Sequence, residues 1–321
     1  MSSRNRLVEI AYINQPFPKL SRQQVAAIIA RHKLDVAPDE ASPLPRIGTV
    51  NTALALGKRY VLRVPKPHGI RETFTESVAA PAAWAAGVRT PKLLVFDNSR
   101  DIVDAPYTVY ERVDGENFGS RNIDADENAG VFREIGRQLA ILHQGVTSCP
   151  DPHGYLDRPS RRDPAELIAQ LSSAALLGAY NTQWLDRVFQ RLRASVDEAH
   201  RFRRFLHNDA LPTNVIVNHS GSFAALIDWN NSGWGDPALE FWSMPSRAVP
   251  IALAGYREIA AMDGDSTVEQ RILWDHLCHA LELLQRPIHA ENPSWARPPF
   301  SRMIELVAAA SQFGPWQKFL A

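Results

Sequence analysis

The hydrophobic period of this chain changes once, near residue 113, and that change limits the folds open to it. Ahead of it apolar residues come in short β-favouring runs set between Gly, Pro, Asn and Asp. Beyond it they recur at helical spacing over long stretches. Short strands followed by long helices describe an α+β chain in two lobes, 1–113 and 114–321, joined at Asp114-Gly115. A length of 321 residues accommodates both.

In the first lobe Ser21 caps a helix running to Lys33 on Val25, Ala26, Ile28 and Ile29. The stretch from Pro43 to Pro65 reads as two short strands around a Gly57-Lys58 turn, with Tyr60 to Val64 rich in β-favouring residues. Arg71 to Ala86 has helical spacing, with a break or kink expected near Pro81 and a stop at Gly87. Two more strands follow, Leu93-Leu-Val-Phe and Tyr107-Thr-Val-Tyr, which makes a small antiparallel sheet with a helix. In the second lobe helices are expected around Ile135 to His143, Leu167 to Leu177 and Trp184 to Arg203, and again from about Leu239. One strand-turn-strand interrupts them: Val215-Ile-Val, the turn Asn218-His-Ser-Gly-Ser, then Phe223-Ala-Ala-Leu-Ile.

That hairpin matters because of what brackets it. Ahead lies Phe205-Leu-His207-Asn-Asp209-Ala-Leu-Pro-Thr-Asn214, and behind lies Asp228-Trp229. Counting the strand pairing puts Asp228 about two residues beyond the position facing Asn214, so three oxygen-bearing side chains converge. The Asn214 amide oxygen and the Asp228 carboxylate are hard ligands suited to Mg²⁺, which keeps waters and takes phosphate oxygens for the rest of its shell. Asp209 is left to hold a hydroxyl. A metal to neutralise phosphate charge and a carboxylate to take the proton of an attacking hydroxyl are what phosphoryl transfer needs.

The pattern His207-x-Asp209-x4-Asn214, with Ile227-Asp228-Trp229 and Gly235-Asp236-Pro237-Ala238, resembles the aminoglycoside phosphotransferase and choline kinase-like family over most of the chain. The resemblance implies a protein-kinase-like α+β fold: an N-terminal antiparallel β-sheet lobe with one helix, and a larger, mainly α-helical C-terminal lobe. It implies Asp209 as catalytic base, Asn214 and Asp228 as Mg²⁺ ligands, and ATP or GTP as phosphoryl donor. Gly48 and Asn51 fall in the segment similar to the family's nucleotide loop. Arg63 falls on the strand whose basic residue reaches the phosphates, and Glu76 where a helix carboxylate pairs with it. Glu111 and Val113 fall in the hinge that reads the purine edge. The chain departs from the family's common pattern with Asn208 for Gly, Ala210 for Leu, Arg63 for the Lys of kinases at large, and Glu240 where Asp is commoner.

Around this centre His207 reads as a loop-fixing residue and Asp236 as a helix cap. Trp229, Asn231 and Trp234 lie just past the metal ligand and are candidate acceptor contacts along with Asp209, with core packing the competing reading for each Trp. His276 and His279 lack a third ligand for a metal site. Lys and Arg number 35 and so do Asp and Glu, so no overall charge favours nucleic acid or an anionic membrane. Cys149 and Cys278 have neither disulfide nor zinc spacing, and no run approaches the roughly 18 apolar residues of a membrane span. The expectation is a cytoplasmic enzyme, monomer or homodimer, with a nucleoside triphosphate and a small hydroxyl-bearing acceptor as partners. An antibiotic of aminoglycoside, macrolide, nucleoside or peptide type leads as acceptor. The alternatives are a metabolic kinase of choline-, homoserine- or sugar-kinase type, a catalytically idle nucleotide-binding scaffold, and a metal-dependent hydrolase. The intact base and metal ligands argue against the scaffold, and a hydrolase has no use for the nucleotide lobe.

Overall fold

The first helix begins at Ser21 for a local reason: its Oγ accepts the Gln24 N–H (3.1 Å) while Gln24 Oε1 accepts the Ser21 N–H (2.9 Å). Helix α1 (Arg22–Arg31) then buries Val25, Ile28 and Ile29 on one face. The structure is a computed structural model that describes residues 15–45, 50–120, 123–157, 161–261, 264–285 and 299–320.

Strands β1 (Ala41–Pro43), β2 (Asn51–Leu56), β3 (Tyr60–Pro65), β4 (Leu93–Asp97) and β5 (Tyr107–Glu111) form one antiparallel sheet in the order β1-β2-β3-β5-β4. The β2–β3 hairpin turns at Gly57, whose φ of +59° favours glycine. Leu56, Leu62, Val64, Tyr107 and Val109 bury one side of the sheet in a cluster with the apolar face of α1. Between β3 and β4 runs α2 (Ile70–Ala85). The expected break at Pro81 does not occur. Pro81 is exposed, while Ala79, Ala80 and Ala83 are fully buried, and that packing offsets the backbone bond the proline cannot make.

The second lobe carries β6 (Glu116–Asn117), α3 (Ala129–Gly145), α4 (Pro164–Ser173), α5 (Ala179–Asp197), β7 (Arg204–Leu206), β8 (Val215–Val217), β9 (Phe223–Leu226), β10 (Gly233–Gly235), α6 (Val249–Ile259), α7 (Val268–Leu283), α8 (Pro299–Gln312) and α9 (Gly314–Leu320). Helices α3 and α6 meet backbone to backbone: a Cβ on Gly136 would lie 1.8 Å from the Ala252 carbonyl oxygen, and one on Gly255 1.9 Å from that of Arg133. The helix expected from Leu239 starts instead at Val249, because Pro237 opens a short 3₁₀ turn capped by Asp236 and Pro245 precedes another. Among the described residues no helix is long and apolar enough to cross a membrane.

Two short sheets shape the centre, β7 with β10 and the antiparallel β6-β8-β9. In the β8–β9 hairpin Ile216 faces Ala225 but Val217 faces Phe223, a bulge that leaves Ala224 unpaired. Pairing shifts by one residue as a result. The Ile227 N–H bonds the Asn214 carbonyl (2.9 Å), so Asp228 lies one residue past Asn214's partner rather than two.

Candidate active site

The loop after β7 is held from three directions. His207, with no solvent exposure, accepts the Asp209 N–H at Nδ1 (3.2 Å) and donates from Nε2 to the Ile227 carbonyl (3.0 Å). Those two bonds require the neutral imidazole, and burial lowers the histidine's pKa accordingly. His207 therefore joins the start of the loop to the end of β9, the loop-fixing role read for it. Asn208 follows at φ +62°, left-handed backbone that asparagine tolerates better than most residues, where the family often has glycine. Asn117 on β6 donates its amide to the Thr213 carbonyl and ties the joint between the lobes to the loop's far end.

Asp209 Oδ2 accepts the Asn214 amide (3.0 Å) and the Asn231 amide (3.3 Å), and Asn214 also donates to the Asp209 carbonyl (2.9 Å). Desolvation in the cleft pushes the Asp209 carboxyl up to about 7, the nearby Asp228 charge adds to this, the two amide donors oppose it, and Glu240 adds again. The group thus stands near neutrality, where a general base works best. Asp228 sits at φ +71°, a strained conformation for a non-glycine residue, at the end of the bulged strand. Its Oδ1 accepts Arg63 Nη2 (2.8 Å), and Arg63 Nη1 donates to Glu76 Oε1 from the neighbouring helix. The expected Arg63–Glu76 pair is present, and the guanidinium fork also reaches Asp228. Burial raises Glu76 to about 7 against the pull of Arg63, with Asp228 raising it further. Arg63 is partly buried, its side chain 15% exposed, and Asp228 and Glu76 together hold it firmly charged.

Reading the sequence assigned no role to Glu240. Its carboxylate is fully buried and takes two adjacent backbone donors, the N–H of His207 on Oε1 and of Asn208 on Oε2, at 2.7 Å each. Behind it Tyr256 donates its hydroxyl to His143 Nδ1 (2.8 Å), and His143 Nε2 donates to Glu240 (3.2 Å). The one signal in the sequence was a glutamate where the family favours aspartate. Asp236 accepts the Ala238 N–H (3.1 Å), the cap read for it, and also takes Arg271 Nε (2.7 Å).

A cleft of about 730 Å³ brings these groups together. Asn51, Arg63, Glu76, Glu111 and Val113 line it from the first lobe, and Asp209, Asn214, Asp228 and Asn231 from the second. Gly48 lies outside the described residues. Trp229 borders the cleft, but its side chain is 1% exposed, packed edge-on against His207 (4.5 Å between centroids) and bonded through Nε1 to Thr90. Trp234 is not in the cleft wall. It packs against Phe205 on β7 with Arg203 over its ring, because β10 pairs with β7 and faces away. His276 is an ordinary core histidine, bonded to the Phe241 carbonyl and Ser246.

The donor set fits Mg²⁺. Asn214 spends its amide nitrogen on Asp209, which leaves the oxygen as the end for a cation, and Asp228 supplies a carboxylate in the same cleft. No group of three His, Cys, Asp or Glu among the described residues suits a metal. One carboxylate and one amide, completed by water and phosphate, are what Mg²⁺ takes in nucleotide sites.

An antiparallel sheet lobe over a helical lobe, with Asp209, Asn214 and Asp228 gathered in the cleft between, defines a protein-kinase-like fold. The chain matches the phosphotransferase enzyme family over residues 45–273, and it belongs to that family. Similar solved structures include a choline/ethanolamine kinase family protein from Mesorhizobium loti, 18% identical, with a TM-score of 0.58 over 93% of this chain and 96% of that one. The GDP complex of aminoglycoside 2'-phosphotransferase-IIIa is 18% identical, with a TM-score of 0.56 over 91% and 100%. The streptomycin-ATP complex of APH(2")-IIa is 13% identical, with a TM-score of 0.55 over 91% and 97%. At these identities the likeness is one of fold. No curated protein sequence matched the chain.

Proposed function

We propose that this chain transfers the terminal phosphoryl group of ATP or GTP to a hydroxyl of a small molecule, and that the acceptor is an antibiotic or related natural product. The observation that carries the reading is the convergence of Asp209, Asn214 and Asp228 with the Arg63–Glu76 pair in one cleft. Asp209 takes the proton of the attacking hydroxyl. Asn214 and Asp228 hold Mg²⁺, which when bound neutralises phosphate charge. Arg63 supplies a fixed positive charge for the phosphates, and Glu76 and Asp228 hold it in the cleft. Asn51 and the backbone at Glu111 and Val113 bound the nucleotide side, and Asn231 beside Asp209 the acceptor side. In this reading 1–113 is the nucleotide lobe and 114–321 the catalytic and acceptor lobe. Two of the similar structures are aminoglycoside phosphotransferases, which supports an antibiotic acceptor.

The test is nucleotide turnover by the purified protein with Mg²⁺ across aminoglycosides, macrolides, nucleoside and peptide antibiotics, choline, homoserine and sugars, with product mass read for an added phosphoryl group. A phosphorylated antibiotic supports the whole reading. A phosphorylated choline, homoserine or sugar moves the chain to metabolism, and no nucleotide binding removes the kinase assignment. Asp209→Asn should lower transfer by about 10²–10⁴-fold, the range for a lost general base, with nucleotide affinity retained. Asp228→Ala should abolish the Mg²⁺ dependence of nucleotide binding.

A further inference from the structure

Helix α2 carries Glu76 and packs in two directions: Phe74 meets Phe96 of β4 edge-on (5.4 Å between centroids), and the buried alanines of its later turns reach the second lobe. Ala79, Ala80 and Ala83 lie in the same buried cluster as Tyr110 of β5 and Phe132, Ile135 and Leu139 of α3, whereas α1 and the opposite face of the sheet close a separate core around Ile28, Leu62 and Val109. The residues just after α2 are fastened to the second lobe as well. The Arg89 N–H donates to Gln138 Oε1 (2.7 Å) on α3, and the Arg89 carbonyl accepts the Leu226 N–H (2.9 Å) at the end of β9. Next to these, Trp229 Nε1 donates to Thr90 Oγ1 at 2.8 Å, with the two residues 1% and 8% exposed. The other side of the Trp229 ring meets His207. One side chain therefore spans from the base-bearing loop to the root of the helix that bears Glu76.

We propose that Trp229 is a positioning residue that acts through Thr90: it anchors α2 to the Asp228 loop, so that Glu76 holds Arg63 in its bridge between the two lobes. The proposal rests on the nucleotide-binding reading above. Arg63 divides its fork between Glu76 and Asp228. A shift of α2 withdraws Glu76, lets Arg63 settle on Asp228 alone, and moves the cation away from where phosphates must meet it. The loss therefore falls on nucleotide affinity and not on the acceptor. A buried hydroxyl bonded to an indole N–H is a costly contact to break, since the donor then has no partner.

The experiment measures ATP and GTP affinity by titration calorimetry with Mg²⁺ in wild type and variants, with thermal melting as the record of folding. Thr90→Val deletes the acceptor and should weaken nucleotide binding about tenfold, the effect of one buried hydrogen bond. Thr90→Ser restores the hydroxyl and should return affinity to within about twofold of wild type. Trp229→Phe keeps an aromatic ring without the donor and should reproduce the loss. In a Glu76→Gln background Thr90→Val should cost nothing further, because the anchor works through that carboxylate. Thr90→Val binding nucleotide like wild type, or an additive loss in the Glu76→Gln background, overturns the anchoring role and leaves the kinase reading standing. Wild-type protein that binds neither ATP nor GTP overturns both.

Discussion

Replacing Glu240 by glutamine removes a charge and exchanges one of two acceptor oxygens for a donor. In the folded chain those oxygens take the His207 and Asn208 N–H groups at 2.7 Å each, with no access to water. A hydrogen bond to a charged acceptor contributes about 1.5–3 kcal/mol, and a buried donor left without a partner costs about 1–3 kcal/mol. Glu240→Gln should therefore destabilise the chain by about 3–5 kcal/mol. At about 2.1 cal/mol/K of unfolding entropy per residue, 321 residues make each kcal/mol worth about 1.5 °C, so Tm should fall by about 5–8 °C. The two bonds hold the loop that aims Asp209, and a displacement on the order of 1 Å at a reacting group lowers turnover by about 10²-fold. Nucleotide affinity, which the proposed function places on Arg63 and Asp228, should stay within about threefold because Arg63, Glu76 and Asp228 hold one another. Calorimetric melting, steady-state kcat and nucleotide titration on one preparation test all three parts. A Glu240→Gln protein with wild-type kcat and a Tm within about 2 °C of wild type would refute the claim that the loop is held from beneath.

Arg271 is fully buried and donates to Asp236 (2.7 and 3.0 Å) and Asp265 (2.9 and 2.6 Å), so Arg271→Met should cost about 3–5 kcal/mol in urea unfolding by taking the arginine from Asp265 and leaving Asp236 to Arg161 alone. Adding Asp265→Asn should recover part of that loss, because Asp236 keeps Arg161. Burial lowers the His276 pKa to about 3. The unfolded chain takes up this proton below about pH 6.5 and the folded chain does not, so the residue withdraws stability as pH falls. The stability gap between wild type and His276→Asn should shift by about 2 kcal/mol against wild type between about pH 7 and pH 5, read from urea midpoints. Gly136→Ala places a methyl group against the Ala252 carbonyl and should cost about 1–3 kcal/mol, a Tm lowered by about 2–5 °C.

Most of the architecture was legible because its signals are local. The Ser21 cap answers Gln24 three residues on, Gly57 meets its own turn, and the switch from short β runs to helical spacing near residue 113 marks the passage from sheet to helices. The convergence of the residues after β7 was legible for a related reason. Asp209, Asn214 and Asp228 lie within one loop and one hairpin, so short-range geometry brings them together whatever the rest of the chain does. Even there a single bulge moved Asp228 from two residues past Asn214's partner to one, since a bulge depends on how strands twist and pack.

What escaped the reading has partners far apart in the chain. Glu240 finds His207 and Asn208 more than thirty positions away, and neither the helical nor the strand period carries information about a backbone N–H at that distance. Trp229 and Trp234 are alike as letters just past Asp228. Packing sends one into the core to bond Thr90 and places the other on β10 against Phe205, outside the cleft. Helix α2 lies between two strands of the first lobe in sequence, and in space its buried alanines share a cluster with Tyr110 of β5 and the helices of the second lobe. Local propensity, capping and turn chemistry are properties of a few neighbouring residues and can be read along the chain. The partner of a buried carboxylate, indole or helix face is settled when distant segments compete for the same buried space, and that competition exists only in the folded molecule.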